Sequence, residues 1–197
     1  MADAFRGDWM QTYTGRQFWP MDPRLEDIHL DDIAHALALQ CRFAGHSRTH
    51  YSVAQHSMHV YGLVVRAGVT DPVVRLQALL HDAAEAYVVD MPTPIKRFMP
   101  EYRDIEDRLL RVIWEKFGIF DPMHEVVKKA DVTALITERD VLHRRPPASW
   151  NVDGEQDDEM VKEMLFFAQL EHPMLAIESR FKTIVERYER KVREQIG

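Results

Sequence analysis

One cysteine, Cys41, stands alone among 197 residues, so no intrachain disulfide framework is available. A single thiol fits a reducing compartment, and the expected location is the cytoplasm. No apolar run approaches the roughly 20 residues that a membrane-crossing helix needs. The opening MADAFRGDWMQTY carries no hydrophobic signal region. Positive charge is in deficit: 25 Lys and Arg against 32 Asp and Glu leave a formal net charge of -7. That balance speaks against nucleic acid as a general partner, which would demand a basic stripe. An anionic small substrate is still compatible, because a local cationic pocket suffices. What is present, 46% hydrophobic and 29% charged residues, is ordinary for a soluble globular domain. The length suits one domain over 1–197, with no internal repeat and no clear boundary.

Periodicity and capping signals predict an all-α protein after a short irregular start. Residues 12–20 carry β-formers around Gly15, which suits a small hairpin. Asp31 or Asp32 is expected to cap a helix running to about Cys41. Ser52 and Gln55 match the capping box and open a helix through about Ala67. Asp71 and Pro72 form an N-cap and N1 pair that starts the helical run through Tyr87. Pro92, Pro94 and Pro100 break the chain into a loop. Helices are expected at 101–117, 122–143, 157–170 and 173–195, with a loop over 144–157. The last helix presents Ile177, Phe181, Ile184, Val185 and Tyr188 as a core-facing stripe.

His81-Asp82 sits inside the apolar run Val73 to Tyr87. A buried imidazole and carboxylate are costly unless something charged pairs with them. A divalent metal ion is the obvious partner, since both groups are good ligands. His56 lies 25 residues earlier, with Val53, Val60 and Leu63 at helical spacing, so its ring points inward. Asp131 has Val127, Ala134 and Leu135 on its own face. Each residue alone has a plain alternative as a core histidine, a cap or an ion-pair partner. The order His, His-Asp, Asp on successive helices is far more specific.

That order resembles the signature of the HD-domain metal-dependent phosphohydrolases. Ser52-Val53-Ala54-Gln55-His56-Ser57 is similar to the family's first-ligand helix. Leu80-His81-Asp82-Ala83-Ala84-Glu85, followed by Asp90-Met91-Pro92-Thr93-Pro94-Ile95-Lys96, resembles the bacterial HD 5′-deoxynucleotidases. Lys129-Ala130-Asp131 resembles the last ligand segment. Cys41-Arg42-Phe43 is similar to the Arg-aromatic pair those enzymes place around the nucleotide. Thr14-Gly15-Arg16-Gln17-Phe18 and the run through Gln40-Cys41-Arg42-Phe43 also resemble the small phage dATP triphosphohydrolases of the same superfamily. The likeness spans roughly residues 10–143.

The resemblance implies an HD-type helical bundle, with a core over 29–143 and C-terminal helices over 157–195. It implies one divalent ion (Zn, Mn, Co, Fe or Ni) held by His56, His81, Asp82 and Asp131. Glu85, three residues after Asp82 and four after His81, falls on their helix face. It is expected to take a proton from the attacking water; its alternative is a solvent-exposed helical Glu. Asp90, held before Pro92-Thr93-Pro94, is expected to bind the sugar hydroxyl or position the water. Arg42 and Lys96 are the expected phosphate contacts. Thr93 is a further phosphate donor, and Phe43 packs on a base or on the core. Arg48 and Arg97 are weaker candidates.

Superfamily members with two metals carry additional His residues between the His-Asp pair and the last Asp. Here only His124 lies in that interval, in a setting that suits the surface. His35, His46, His50, His59 and His143 receive no role. The expected reaction is release of phosphate from a deoxynucleoside monophosphate. Three alternatives stand beside it: a dNTP triphosphohydrolase, a non-catalytic HD-fold nucleotide sensor, and a helical domain with coincidental His and Asp. Relatives are often dimers, so a homodimer is an open expectation. Trp9, Tyr13, Phe18 and Trp19 could serve an interface, pack on the core or cover the pocket.

Overall fold

The computed structural model describes residues 6–167 and 173–196. The expected single domain over 1–197 and the end of the expected helix 157–170 include residues 1–5, 168–172 and 197, which lie outside them. Among the described residues the chain is all-α, with one small hairpin. Strand β1 (Met10–Gln11) pairs antiparallel with β2 (Gln17–Phe18), Met10 opposite Phe18. The hairpin begins two residues before the expected segment, because 12–16 form its turn. Thr12 N–H donates to Arg16 O, and Gly15 takes φ +80°, a conformation that suits glycine. Phe18 is fully buried and stacks on Tyr87 at 3.9 Å between centroids. The hairpin therefore packs on the core, while Trp9 and Tyr13 stay exposed.

The helices follow in order: α1 (Leu30–Leu39), α2 (Val53–Arg66), α3 (Pro72–Leu80), α4 (Glu85–Val88), α5 (Thr93–Lys96), α6 (Pro100–Lys116), α7 (Glu125–Leu142), α8 (Asp158–Phe167) and α9 (Pro173–Ile196). The expectation that Asp31 or Asp32 caps α1 is corrected, since His29 occupies the cap. The two carboxylates instead reach across the fold. Asp32 accepts from the Thr14 amide at 2.7 Å and pins the hairpin turn to α1, and Asp31 pairs with Lys182 of α9. The capping box of α2 forms as read from sequence: Gln55 N–H donates to Ser52 Oγ and Ser52 N–H to Gln55 Oε1, at 3.2 and 2.9 Å.

The run from Pro72 to Tyr87 is not one continuous helix. Helix α3 ends at Leu80, and α4 starts at Glu85. The His81 ring donates from Nδ1 to Ala78 O at 2.9 Å, and the Trp114 indole donates to Leu80 O at 3.0 Å. Around this point the backbone tightens to i→i−3 bonds, Ala83 N–H to Leu80 O, which also takes the indole, and Glu85 N–H to Asp82 O. The break thus falls on the His-Asp pair itself.

Helix α2 is the axis of the fold. Every residue from Tyr51 to Val60 is buried, so its first turns are enclosed on all sides. It packs on α1, α3, α7, α8 and α9. One core lies between α1, α3, α6 and α9, around Ile33, Leu76, Leu80, Ile113, Phe181 and Val185. A second lies between α2, α3, α7 and α8, around Val60, Ala78, Val127, Ala134 and Met160. Gln77 on α3 stitches the start of α7, accepting from His124 N–H and donating to Asp121 O and Pro122 O. That stitch sets how α7 lies against α2. No helix among the described residues is long and apolar enough to cross a membrane.

Candidate metal centre

The start of α2, the break after α3 and the middle of α7 converge on one point. His56, His81 and Asp82 offer ligand atoms that all lie within 4.8 Å of one another, a group that could hold a metal ion. His56 Nε2 is 3.1 Å from His81 Nε2 and 3.5 Å from Asp82 Oδ2. His81 Nε2 is 3.3 Å from Asp82 Oδ2. Asp131 arrives from α7, its Oδ1 3.1 Å from His56 Nε2 and 4.0 Å from His81 Nε2. The histidine side chains are enclosed, and Asp131 is the most open, 44% exposed.

Proton bookkeeping shows what these atoms need. The His56 Nδ1 donates to Glu138 Oε1 at 2.6 Å, and the His81 Nδ1 donates to the Ala78 carbonyl. Both rings therefore turn a lone pair at Nε2 toward each other and toward two carboxylates. A proton or a cation has to stand among these acceptors. Neighbouring ligands of a first-row divalent ion, at about 2.1 Å and roughly 90–110°, lie about 3.0–3.4 Å apart, and opposite ones about 4.2 Å. The distances among His56, His81 and Asp82 suit that arrangement; Asp131 meets the two histidines at 3.1 and 4.0 Å but falls outside the three-residue group. The outer bonds to Glu138 and Ala78 are of the kind that orient metal-binding histidines.

The surrounding charge is lopsided. Burial raises the Glu85 carboxyl well above its usual range, and the charges of Asp82 and Asp90 add to this against Arg42 and Lys96. Glu138 is fully buried; burial works against its charge, yet His56 and Arg42 hold its pKa below the usual value. Asp82, Glu85, Asp90 and Glu138 thus act on Arg42, while Asp131 faces the two histidines. Burial and the Arg42 charge press His56 downward, but Glu138 and Asp131 carry its pKa up to about 10. Metal uptake must then displace a proton across the neutral range. Affinity should fall about tenfold per pH unit on acidification for each proton displaced; titration of a divalent ion at several pH values checks this. In metal-free protein the same raised value favours folding below about 6.5, and that contribution is lost as pH rises through about 10.

The remaining expected residues divide into two groups. Glu85 is buried, and its Oε2 has no hydrogen-bond partner among the described residues. It does not share one helix with His81 and Asp82, because the break intervenes, yet the Asp82 charge acts on it directly. Asp90 follows Val89, a β-branched residue at φ +67°, a strained conformation costing on the order of 1–3 kcal/mol. The single Tyr102 hydroxyl proton is shared between Val88 O and Val89 O, and Gln40 Oε1 accepts from Asp90 N–H at 2.7 Å. The same Gln40 donates to Glu85 O, so one amide sets the loop on both sides.

Arg42 is buried with Nη1 3.4 Å from Asp82 Oδ2 and Nε 3.3 Å from Glu138 Oε2. It is placed there because Arg42 N–H bonds Tyr51 O, and Cys41 pairs with Ser52, just before α2. Phe43, at φ +58°, turns away to pack edge-on against His143 at 4.6 Å. Lys96 is not a free cation: its Nζ pairs with Glu106 at 2.6 Å. Thr93 is exposed on α5. His124 caps α7, accepting from Val126 N–H at Nδ1, and stays out of the cluster. Sequence reading missed Glu138, Gln40, Tyr51 and His59. A signal existed for Glu138, which lies seven residues after Asp131 and so on the same helix face.

No protein-family model matches the chain. It is 39% identical over 144 residues to the uncharacterized protein YfdR of Escherichia coli, covering 73% of this chain and 78% of that protein. It is 36% identical over 145 residues to the uncharacterized protein RCAP_rcc00048 of Rhodobacter capsulatus, covering 68% of this chain and 72% of that protein.

Proposed function

This chain belongs to the family of YfdR and RCAP_rcc00048, and we propose that it is a metal-dependent phosphohydrolase of the HD-domain type acting on nucleotides. The observation that carries the reading is the meeting of the two Nε2 lone pairs with the Asp82 and Asp131 carboxylates. His56, His81, Asp82 and Asp131 hold one divalent ion, which supplies Lewis acidity toward a phosphoryl oxygen and toward water. Glu85, a buried carboxylate made basic by its surroundings, takes the proton of the attacking water. Arg42 keeps donors beyond the two turned toward Asp82 and Glu138 and directs them at the phosphate. Asp90, fixed by Gln40 and the strained Val89, takes a sugar hydroxyl or helps orient the water.

Cation supply near the centre favours the monophosphate over the triphosphate. The charge of Arg42 is offset by two carboxylates and that of Lys96 by Glu106, so Arg42 can offer donors to one phosphate while the net positive charge here is small for a long polyphosphate. The reaction is therefore release of phosphate from a deoxynucleoside monophosphate. Mono-, di- and triphosphate nucleotides should be offered with Zn²⁺, Mn²⁺, Co²⁺, Fe²⁺ and Ni²⁺, and the products separated by ion exchange. Inorganic phosphate from monophosphates is the expected result. Triphosphate release from dNTPs would replace the substrate assignment, and tight binding without turnover across all metals would make the protein a sensor.

A further inference from the structure

Behind His56 lies a buried polar chain that the proposed reaction does not use. Glu138 Oε1 accepts from His56 Nδ1 at 2.6 Å and from Tyr51 Oη at 2.9 Å. Tyr51 Oη in turn lies 2.7 Å from His59 Nδ1. Tyr51, His56, His59 and Glu138 are at most 2% exposed. Tyr51 has one hydroxyl proton, and Glu138 receives it, so the proton of the last bond must come from His59. Each donor in the chain then points toward Glu138: His59 Nδ1–H to Tyr51, Tyr51 O–H to Glu138, and His56 Nδ1–H to Glu138 from the other side. Burial keeps His59 neutral, its pKa pushed down to about 4, which agrees with a ring carrying only the Nδ1 proton.

A carboxylate without solvent is expensive; here Oε1 takes both hydrogen bonds, and Oε2, with no hydrogen-bond partner among the described residues, is compensated by the Arg42 charge alone. Its second oxygen, Oε2, faces Arg42 Nε at 3.3 Å, and Arg42 Nη1 faces Asp82. Glu138 therefore touches the centre twice, through His56 and through the guanidinium that braces Asp82. An Nδ1-protonated His56 has no choice but to offer Nε2. We propose that Glu138, backed by Tyr51 and His59, is the positioning residue that locks His56 in its metal-binding tautomer and sets how tightly the centre holds its ion. This rests on the metal-centre reading above. It assigns the Glu138 carboxylate a function separate from the ligands themselves and from Glu85.

The test measures affinity rather than turnover. The full chain is stripped with chelator, and Zn²⁺ or Mn²⁺ binding is read by competition with a chromogenic chelator. Glu138→Gln keeps shape and one acceptor oxygen but loses the charge; Glu138→Leu removes both acceptors. Both should bind about 10–100-fold more weakly than wild type, Leu the weaker. Nitrogen-15 histidine NMR of the metal-loaded wild type should show a slowly exchanging His56 Nδ1–H, lost in Glu138→Leu. If Leu fails to fold, Gln alone decides. A folded Glu138→Gln with wild-type affinity overturns the positioning role. Absence of metal uptake by the wild type overturns the centre itself, and so separates the two failures.

Discussion

Replacing Glu85 with Gln should slow phosphate release by about 10²–10⁴-fold while leaving metal content near that of the wild type. The side chain is 5% exposed and its Oε2 is unpartnered, although burial and the charges of Asp82 and Asp90 both oppose its ionisation. A buried carboxylate held at high basicity with an unsatisfied oxygen gains nothing in stability from being there. Raised basicity of this kind suits a group that takes a proton from water. Gln keeps the volume and one oxygen but accepts no proton. The wild-type rate should rise with pH as Glu85 ionises, and that limb should vanish in the variant. Metal analysis beside the rate measurement separates the outcomes. Undiminished turnover removes Glu85 from the mechanism, and lost metal would make it a ligand instead.

The helical class was legible because its signals are local. The Ser52–Gln55 box, the Asp71–Pro72 start and the stripe Ile177, Phe181, Val185, Tyr188 each act within a turn or two, and each appears where the pattern places it. The misread features depend on distant partners. Asp32 looks like a cap in sequence, but Thr14, eighteen positions away, claims its oxygens. The break after Leu80 falls where the Trp114 indole, thirty-four positions on, bonds the Leu80 carbonyl, a contact that periodicity does not carry.

The same division runs through the site. His56, His81, Asp82 and Asp131 announce themselves as polar groups on apolar faces, an inconsistency that a shared partner would resolve. Glu138 and His59 carry the same oddity, but they sit one shell further out. His59 was discounted because it matches no ligand position, and position within a ligand order says nothing about who orients the ligand. Arg42 was legible as a residue but not in its attachment: no spacing rule reveals a guanidinium shared between Asp82 and Glu138. Outer contacts come from packing between α2 and α7, which a linear pattern does not encode.

Replacing Asp82 with Ala should abolish stoichiometric metal binding, lowering metal content to below about one-tenth of wild type, with phosphate release falling in parallel. Asp82 is the only carboxylate within 3.5 Å of both imidazole Nε2 atoms, at 3.5 and 3.3 Å, among the described residues. Burial opposes its charge, but His81, His56 and Arg42 outweigh it and hold the pKa far below the usual carboxylate value. Asp82 is thus anionic across the neutral range and available as a charged ligand. Removing it leaves two neutral rings and Asp131, whose side chain is the most open of the set. It also frees Arg42 Nη1, so the Ala variant changes packing and charge together. Asp82→Asn isolates the charge: it keeps the volume and one oxygen, and it should bind metal weakly and melt below wild type in the metal-free state, because the charge that pairs with His81, His56 and Arg42 is lost. Glu85→Gln should show the opposite pattern, metal retained and chemistry lost. Elemental analysis of the purified variants decides the matter, because unchanged metal in both Asp82 variants would remove Asp82 from the ligand set.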